Sequence, residues 1–304
     1  MKSLLTTPFK SIAYCALLMS FQVLANFDLP MPPEHIQSPY PDKKVKTLTS
    51  AKALLETFDQ QGYTLKSVSS QHSLPPIFVG NLPSDLNDLP VNEKTSGFIR
   101  LLLPTIELVN NQLLSVRSKL LDLAKQPESK WSKEEKEWVA SLMASYDVKS
   151  GELDELLLHI DIIPVGMILA QGIDESGWGT SHFAVNGNSL YGEHLPAHGG
   201  KYIATPGGHV KVAAFDNLYS GTASYVHNLN TTHAYKELWQ LRRQLRKSNQ
   251  LNGHELVQAL SHYSTRGQAY VDNLRTLIQH HNLDSYNNVS LSQQPPQVIQ
   301  FVNP

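Results

Sequence analysis

The chain has 304 residues, with 25 Lys and Arg against 27 Asp and Glu and a formal net charge of −2. That balance gives no basic field for a nucleic acid or an anionic membrane surface, so neither is an expected partner. A chain of this length has room for one large domain or two modest ones.

Residues 1–25 read as a secretory signal peptide. Lys2 and Lys10 precede an apolar run from Ile12 to Leu24, and Ala25 offers a small residue for cleavage before Asn26. The run is short for a membrane span, so no span is expected after cleavage, although retention as an anchor stays open. The single cysteine, Cys15, falls inside this segment, which leaves the exported chain without a thiol or a disulfide. Residues 26–93 form a proline-rich leader and N-terminal extension, in which Pro30, Pro32, Pro33, Pro39 and Pro41 oppose helix and central strand. Thr49 or Ser50 caps a short helix closed by Gly62, Tyr63 to Ser70 reads as a strand, and Pro75 to Asn92 as irregular.

From Lys94 the pattern is helical, with Phe98, Leu101, Leu102, Ile106, Val109 and Leu113 giving an apolar stripe despite Pro104. Ser132 and Glu135 form a capping box that announces a second helix, and a third spans Gly151 to His159. Pro164 opens the next, with apolar residues at Val165, Ile168, Leu169 and Gly172, and Gly177 and Gly179 end it. Glu175 therefore sits on the last helical turn, at the rim of the core. A carboxyl group against apolar and aromatic neighbours at the negative end of a helix keeps its proton to higher pH, as an acid that protonates a glycosidic oxygen must. Asp174, about 100 degrees away around the helix, is a poor partner for it.

A hairpin centred on Pro206-Gly207-Gly208 is the only substantial β-structure expected, and Asp216 beyond it reads as the cap of a helix from Leu218. Helices near Ala234–Lys247, His254–Tyr263 and Gln268–His281 follow. Arg242, Arg243, Arg246 and Lys247 read as a solvated basic face. Residues 287–304 lack apolar periodicity and read as a disordered tail.

Three ordered motifs make a more specific statement: Glu175-Ser176-Gly177-Trp178-Gly179-Thr180-Ser181, Asn188-Ser189-Leu190-Tyr191-Gly192, and Tyr263-Ser264-Thr265-Arg266-Gly267-Gln268-Ala269-Tyr270. Together they resemble the bacterial glucosaminidase family (glycoside hydrolase family 73), in particular its Bax-like branch. The resemblance implies an α+β, mainly α, lysozyme-like catalytic domain with one short β-hairpin, over residues 94–286 with a motif core at 160–283, preceded by the helical N-terminal extension. It also implies an endo-β-N-acetylglucosaminidase that cleaves the β-1,4 bond after N-acetylglucosamine in peptidoglycan, in the periplasm or cell envelope. Glu175 aligns with the family's catalytic acid and Tyr263 with a cleft tyrosine that steadies the sugar cation or its acetamido group. Asn188 and Tyr191 align with the turn lining the sugar site, and Trp178 and Tyr270 join them as candidate substrate-binding residues.

The hairpin lacks the second acid that several family members carry there, which leaves Glu193, directly after the Asn-Ser-Leu-Tyr-Gly turn, as the possible second acid. Two mechanisms stay open, attack by the substrate's own acetamido group or activation of water by a second carboxylate. A muramidase or lytic transglycosylase on the same fold, and a peptidoglycan-binding envelope scaffold without turnover, are the alternative functions. His182, His194, His198 and His209 surround the proposed cleft, but without cysteines or a His-Glu-x-x-His pattern no metal site and no cofactor are expected. A regulatory partner in the envelope, engaged through residues 26–93, is left open.

Overall fold

The computed structural model describes residues 29–40, 45–195, 199–205, 208 and 210–302. The segment read as a signal peptide, the Pro206-Gly207 turn centre, His198 and His209 lie outside these residues. In chain order the described elements are β1 (Val45–Leu48), α1 (Ala51–Gln60), α2 (Leu65–Gln71), β2 (Ser73–Leu74), β3 (Ile77–Val79), α3 (Val91–Leu123), α4 (Lys133–Ser145), α5 (Leu153–His159), α6 (Val165–Ser176) and α7 (His182–Gly187). They continue with β4 (Tyr202–Ala204), β5 (Lys211–Ala213), α8 (Leu218–Thr231), α9 (Lys236–Lys247), α10 (Gly253–Leu256), α11 (Gln268–His280), β6 (Ser290–Leu291) and β7 (Gln297–Phe301). The architecture is α+β and mainly helical, as the motifs implied.

The long α3 runs through the middle of the core and packs against α6, α8 and β3. Pro104 in its interior removes the N–H that would reach the carbonyl of Arg100. The Tyr63 hydroxyl takes over, donating to that carbonyl at 2.7 Å, so the helix continues without an orphaned acceptor. Ser50 caps α1, and the Ser132–Glu135 capping box opens α4 as expected.

Several expectations need correction. The segment from Tyr63 to Ser70 is not a strand: Thr64 and Ser67 form a capping box and start α2. The hairpin, β4 antiparallel to β5, is accompanied by a parallel sheet in the order β1-β7-β3 and by a parallel β2–β6 pair. The central strand β7 comes from residues expected to be disordered, and it joins the N-terminal extension to the C-terminal end of the chain. Its Val298, Ile299 and Phe301 are buried, and that apolar burial is what orders it. Asp216 does not cap α8; Asn217 does, accepting from Ser220 N at 2.8 Å, while Asp216 pairs with Lys201. Within the leader, residues 29–40 are packed onto the body: Trp138 Nε1 donates to Pro30 O at 2.9 Å, Tyr219 Oη donates to Pro33 O at 3.1 Å, and Tyr40 stacks on Phe78 at 4.8 Å.

The basic face on α9 also reads differently in three dimensions. Arg242 is 1% exposed and donates to the carbonyls of Leu158, His159, Asp161 and Ile162 and to Asn230 Oδ1. These carbonyls end α5 and form the turn into α6, so one guanidinium satisfies acceptors that no helix serves. Arg246 and Arg117 flank the buried Asp161 and balance its charge. Arg242→Met is expected to cost about 3–5 kcal/mol, because the acceptors stay buried without a donor. Thermal unfolding followed by circular dichroism should show a midpoint lower by roughly 10 °C, and an unchanged midpoint would remove the keystone role.

Candidate active site

Glu175 closes the last turn of α6, a helix buried along Val165–Ile173 and capped by Gly177 in the left-handed region at φ 57°. Pro164 is the residue before the first helical one, and its carbonyl accepts from Met167 N and Ile168 N. Trp178 N donates to Ile173 O at 3.1 Å, which fixes the exit of the chain. Glu175 is thereby held half-buried, facing α11 on one side and the turn after Tyr191 on the other. Glycine at 192 takes up the left-handed φ of 66° that this turn requires and runs alongside the carboxyl group, where a Cβ would stand in ordinary contact, 3.6 Å from Glu175 Oε2.

The carboxyl group belongs to a hydrogen-bonded chain. Tyr225 Oη donates to Gln171 Oε1, Gln171 Nε2 donates to Tyr270 Oη at 2.9 Å, and Tyr270 Oη donates to Glu175 Oε1 at 2.8 Å. Burial pushes the Glu175 carboxyl above its usual range; the Tyr270 hydrogen bond opposes this, the charge of Asp174 adds to it, and Arg266 opposes it again. Asp174 turns away, as expected, to pair with Arg266 and accept from Asn273 Nδ2 at 2.6 Å. The Arg266 guanidinium also lies over the Tyr270 ring, 4.6 Å from its centroid.

Glu193 lies on the far side of the same turn. Its Oε2 accepts from Ser224 Oγ at 3.0 Å, while Oε1 is closed off from solvent without a partner. Burial pushes this carboxyl up to about 7, with the Ser224 bond pulling the other way.

The other candidates divide by role. Tyr263 is half-buried, donates to Tyr191 O at 3.0 Å, and stacks parallel to Tyr270 with centroids 5.6 Å apart. Tyr191 and Tyr270 do not offer ring faces to a sugar, since they are 2% and 0% exposed. The Tyr191 ring stacks on Tyr225 at 4.0 Å and its hydroxyl meets Thr222, so it anchors the turn to α8. Tyr270 reaches the site through its hydroxyl alone. Asn188, left-handed at φ 50°, caps α7 and donates to Phe215 O at 3.0 Å, joining the turn to the end of the hairpin. Trp178 packs edge-on to Phe98 and His281 as an apolar anchor.

Gln171, Ser224 and Tyr225 are members of this constellation that sequence reasoning missed. Gln171 stands one helical turn before Glu175 on the same face, and a glutamine inside an otherwise apolar buried helix is the signal that pointed to it.

With this geometry in view, the comparisons with known proteins are specific. The family model described as mannosyl-glycoprotein endo-beta-N-acetylglucosaminidase matches residues 152–283, the stretch from the start of α5 to the end of α11. The protein Bax of Escherichia coli (strain K12) is 32% identical over 228 residues, covering 72% of this chain and 78% of that protein. Among solved structures, the catalytic domain of the autolysin Auto from Listeria monocytogenes is 16% identical with a TM-score of 0.32, covering 56% of this chain and 96% of that one. By its motifs, its matched domain and its identity to Bax over most of both chains, the protein belongs to the bacterial glucosaminidase family, in the Bax-like branch.

Proposed function

We propose that the protein is an exported peptidoglycan hydrolase of the cell envelope, an endo-β-N-acetylglucosaminidase that cleaves the β-1,4 bond between N-acetylglucosamine and N-acetylmuramic acid with Glu175 as general acid. The observation that carries the reading is the setting of Glu175, a half-buried carboxyl with a raised pKa, fixed by Tyr270 at 2.8 Å and bordered by a glycine turn. A carboxyl that keeps its proton can hand it to the leaving glycosidic oxygen as the C–O bond breaks and the sugar ring takes up positive charge.

Glu193 is a poor general base in this arrangement. One of its oxygens is engaged by Ser224 and the other is sealed from solvent, so neither is offered to a water molecule in the cleft. Its pKa of about 7 also keeps it largely neutral in the acidic range where Glu175 keeps its proton. Attack by the substrate's own acetamido oxygen at the anomeric carbon needs no second carboxylate and fits both facts. Tyr263, whose hydroxyl proton is spent on Tyr191 O, keeps lone pairs that can accept from the acetamido N–H and orient that oxygen. On this mechanism Glu193→Gln retains activity within about tenfold of the parent, whereas a loss of ~10²-fold or more, the usual weight of a general base, would restore Glu193 as the second catalytic acid.

Tyr270 acts as a positioning residue. Its hydroxyl donates to Glu175, which favours the ionised carboxylate, so Tyr270→Phe should raise the Glu175 pKa and carry the alkaline limb of the pH–rate profile upward. The rate at the optimum should fall by about three- to tenfold through lost orientation. A limb that stays in place or moves down would rule out this hydrogen bond as a control on the acid.

The test of the bond assignment is mass spectrometry of borohydride-reduced products after residues 26–304 digest purified sacculi. Reduced N-acetylglucosamine ends are expected. Reduced muramic or anhydromuramic ends would reassign the bond, and the absence of products would favour a binding or scaffold role.

A further inference from the structure

A concave site lies at the other end of α6 from Glu175. This cleft of about 790 Å³ runs between α3, the start of α6, the turn after α9 and the segment after α11. The 12-residue α6 places it roughly 17 Å along the helix from Glu175. Its walls carry side-chain amides, among them Asn110, Asn111, Asn249, Gln250, Asn287 and Asn288, beside aliphatic patches at Leu114, Ile162 and Leu251.

Asn110 belongs to the buried part of this wall. It is 4% exposed, its Nδ2 donates to Ile163 O at 2.9 Å, and its Oδ1 is buried without a partner. That oxygen is closed off from solvent, so Asn110 braces the wall, and the amides open to a ligand are the exposed ones at Asn249, Gln250 and Asn288. The charged residues around it are already committed. Arg246 is paired with Asp161, and Asp284 accepts from Gly253 N at 2.7 Å and from His254 N at 3.0 Å. Glu107, 8% exposed and bonded by Asn111 Nδ2 at 3.1 Å, is pushed up to about 7 by burial. The cleft therefore offers neutral donors and acceptors and aliphatic surface, with its charged side chains already engaged inside the chain.

We infer that this cleft is a second glycan-binding site, which holds a short run of neutral N-acetylated sugars away from the Glu175 centre. Amides match hydroxyl and acetamido groups, which each donate and accept, and the aliphatic patches suit the C–H faces of the rings. A free peptide stem, rich in carboxylates and ammonium groups, would enter without a counter-charge, at a cost that neutral sugars avoid. The volume is in the range of small-molecule sites. The choice of an N-acetylated glycan rests on the peptidoglycan reading; the preference for a neutral polar ligand rests on the cleft alone. A glycan strand held there as well as at Glu175 would be retained between cleavages by effective concentration.

The test uses the full exported chain carrying Glu175→Gln, so that the sugar is not consumed, with a diazirine-tagged triacetylchitotriose as the photo-crosslinker. Peptide mapping should find label on the segments containing residues 107–114 and 249–252 or 287–290, in addition to those around 175–193. Gln250→Ala and Asn288→Trp should each lower labelling of the second site by about fivefold, the weight of a lost hydrogen bond or two, without changing the thermal midpoint or the labelling near residue 175. Label confined to the Glu175 centre, or label at the second site indifferent to both substitutions, would overturn the inference. Displacement of the label by a sugar-free stem peptide but not by untagged chitotriose would overturn the neutral-glycan assignment. Failure of the Glu175 reading would appear separately, as loss of label around residues 175–193 with the second site still labelled.

Discussion

Glu175→Gln is expected to lower the rate of sacculus digestion by roughly 10²–10⁴-fold, the usual weight of a positioned general acid. Glutamine has the shape of the protonated acid, and its Oε1 can still accept from Tyr270, so the chain from Tyr225 through Gln171 and Tyr270 remains intact. What is lost is the proton for the leaving oxygen, which matters only as the bond breaks. The loss should therefore fall on kcat with KM little changed, and binding of the variant to sacculi should persist. The fold should not suffer. The folded-state pKa of Glu175 is raised, so the native state holds this proton more tightly than the unfolded chain does. Stability from that proton is fully present below the ordinary carboxylate pKa and is lost as pH rises through the raised value. Glutamine escapes that loss, so at neutral pH the variant should melt at or slightly above the parent midpoint. Digestion by the variant at the parental rate, with both proteins folded, would remove Glu175 from the mechanism. In the parent, activity should fall on the alkaline side as Glu175 ionises.

The part of this site that was legible in sequence is the part built from neighbours along the chain. Pro164, the apolar run to Ile173 and the glycines at 177 and 179 specify a buried helix that stops at once, and this puts Glu175 at a rim. The helical stripe of α3 and the capping residues Ser50 and Ser132 were readable for the same reason, since each signal lies within a few residues of its effect. Burial of the tyrosines was not. An aromatic side chain in a motif presents the same letters whether its ring faces a sugar or a neighbouring helix, and Tyr191 and Tyr270 face helices. Arg242 was misread as solvated because its acceptors, the carbonyls from Leu158 to Ile162, lie some 80 residues earlier in the chain. The largest miss was β7. Five residues preceded by a Gln- and Pro-rich run carry no detectable period, and their partners β1 and β3 lie more than 200 residues away.

That strand gives the largest expected effect on stability. A chain ending at Pro296 lacks β7, the strand that bridges β1 and β3 in the parallel sheet. It loses Val298, Ile299 and Phe301, which are 6%, 0% and 4% exposed, and with them apolar burial worth about 5–8 kcal/mol in total. The loss extends to polar groups. Asn81 closes the end of the strand in both directions, its Nδ2 donating to Phe301 O at 3.0 Å and its Oδ1 accepting from Phe301 N at 2.8 Å, and Gly80 N donates to Ile299 O at 2.8 Å. All three groups would need new partners. Domains are typically stable by only ~5–15 kcal/mol, so the truncation removes much of the margin, and the melting midpoint should fall by roughly 15 °C or more. Activity should fall with it through a traceable route: Gly80 O also accepts from Leu218 N at 2.8 Å at the start of α8, the helix whose Thr222, Ser224 and Tyr225 hold Tyr191, Glu193 and Gln171. A chain ending at Phe301 keeps every one of these contacts and should melt like the parent. If the two truncations melt together at the parental temperature, β7 is not part of the stabilising sheet, whereas a fall confined to the shorter chain assigns the loss to residues 297–301.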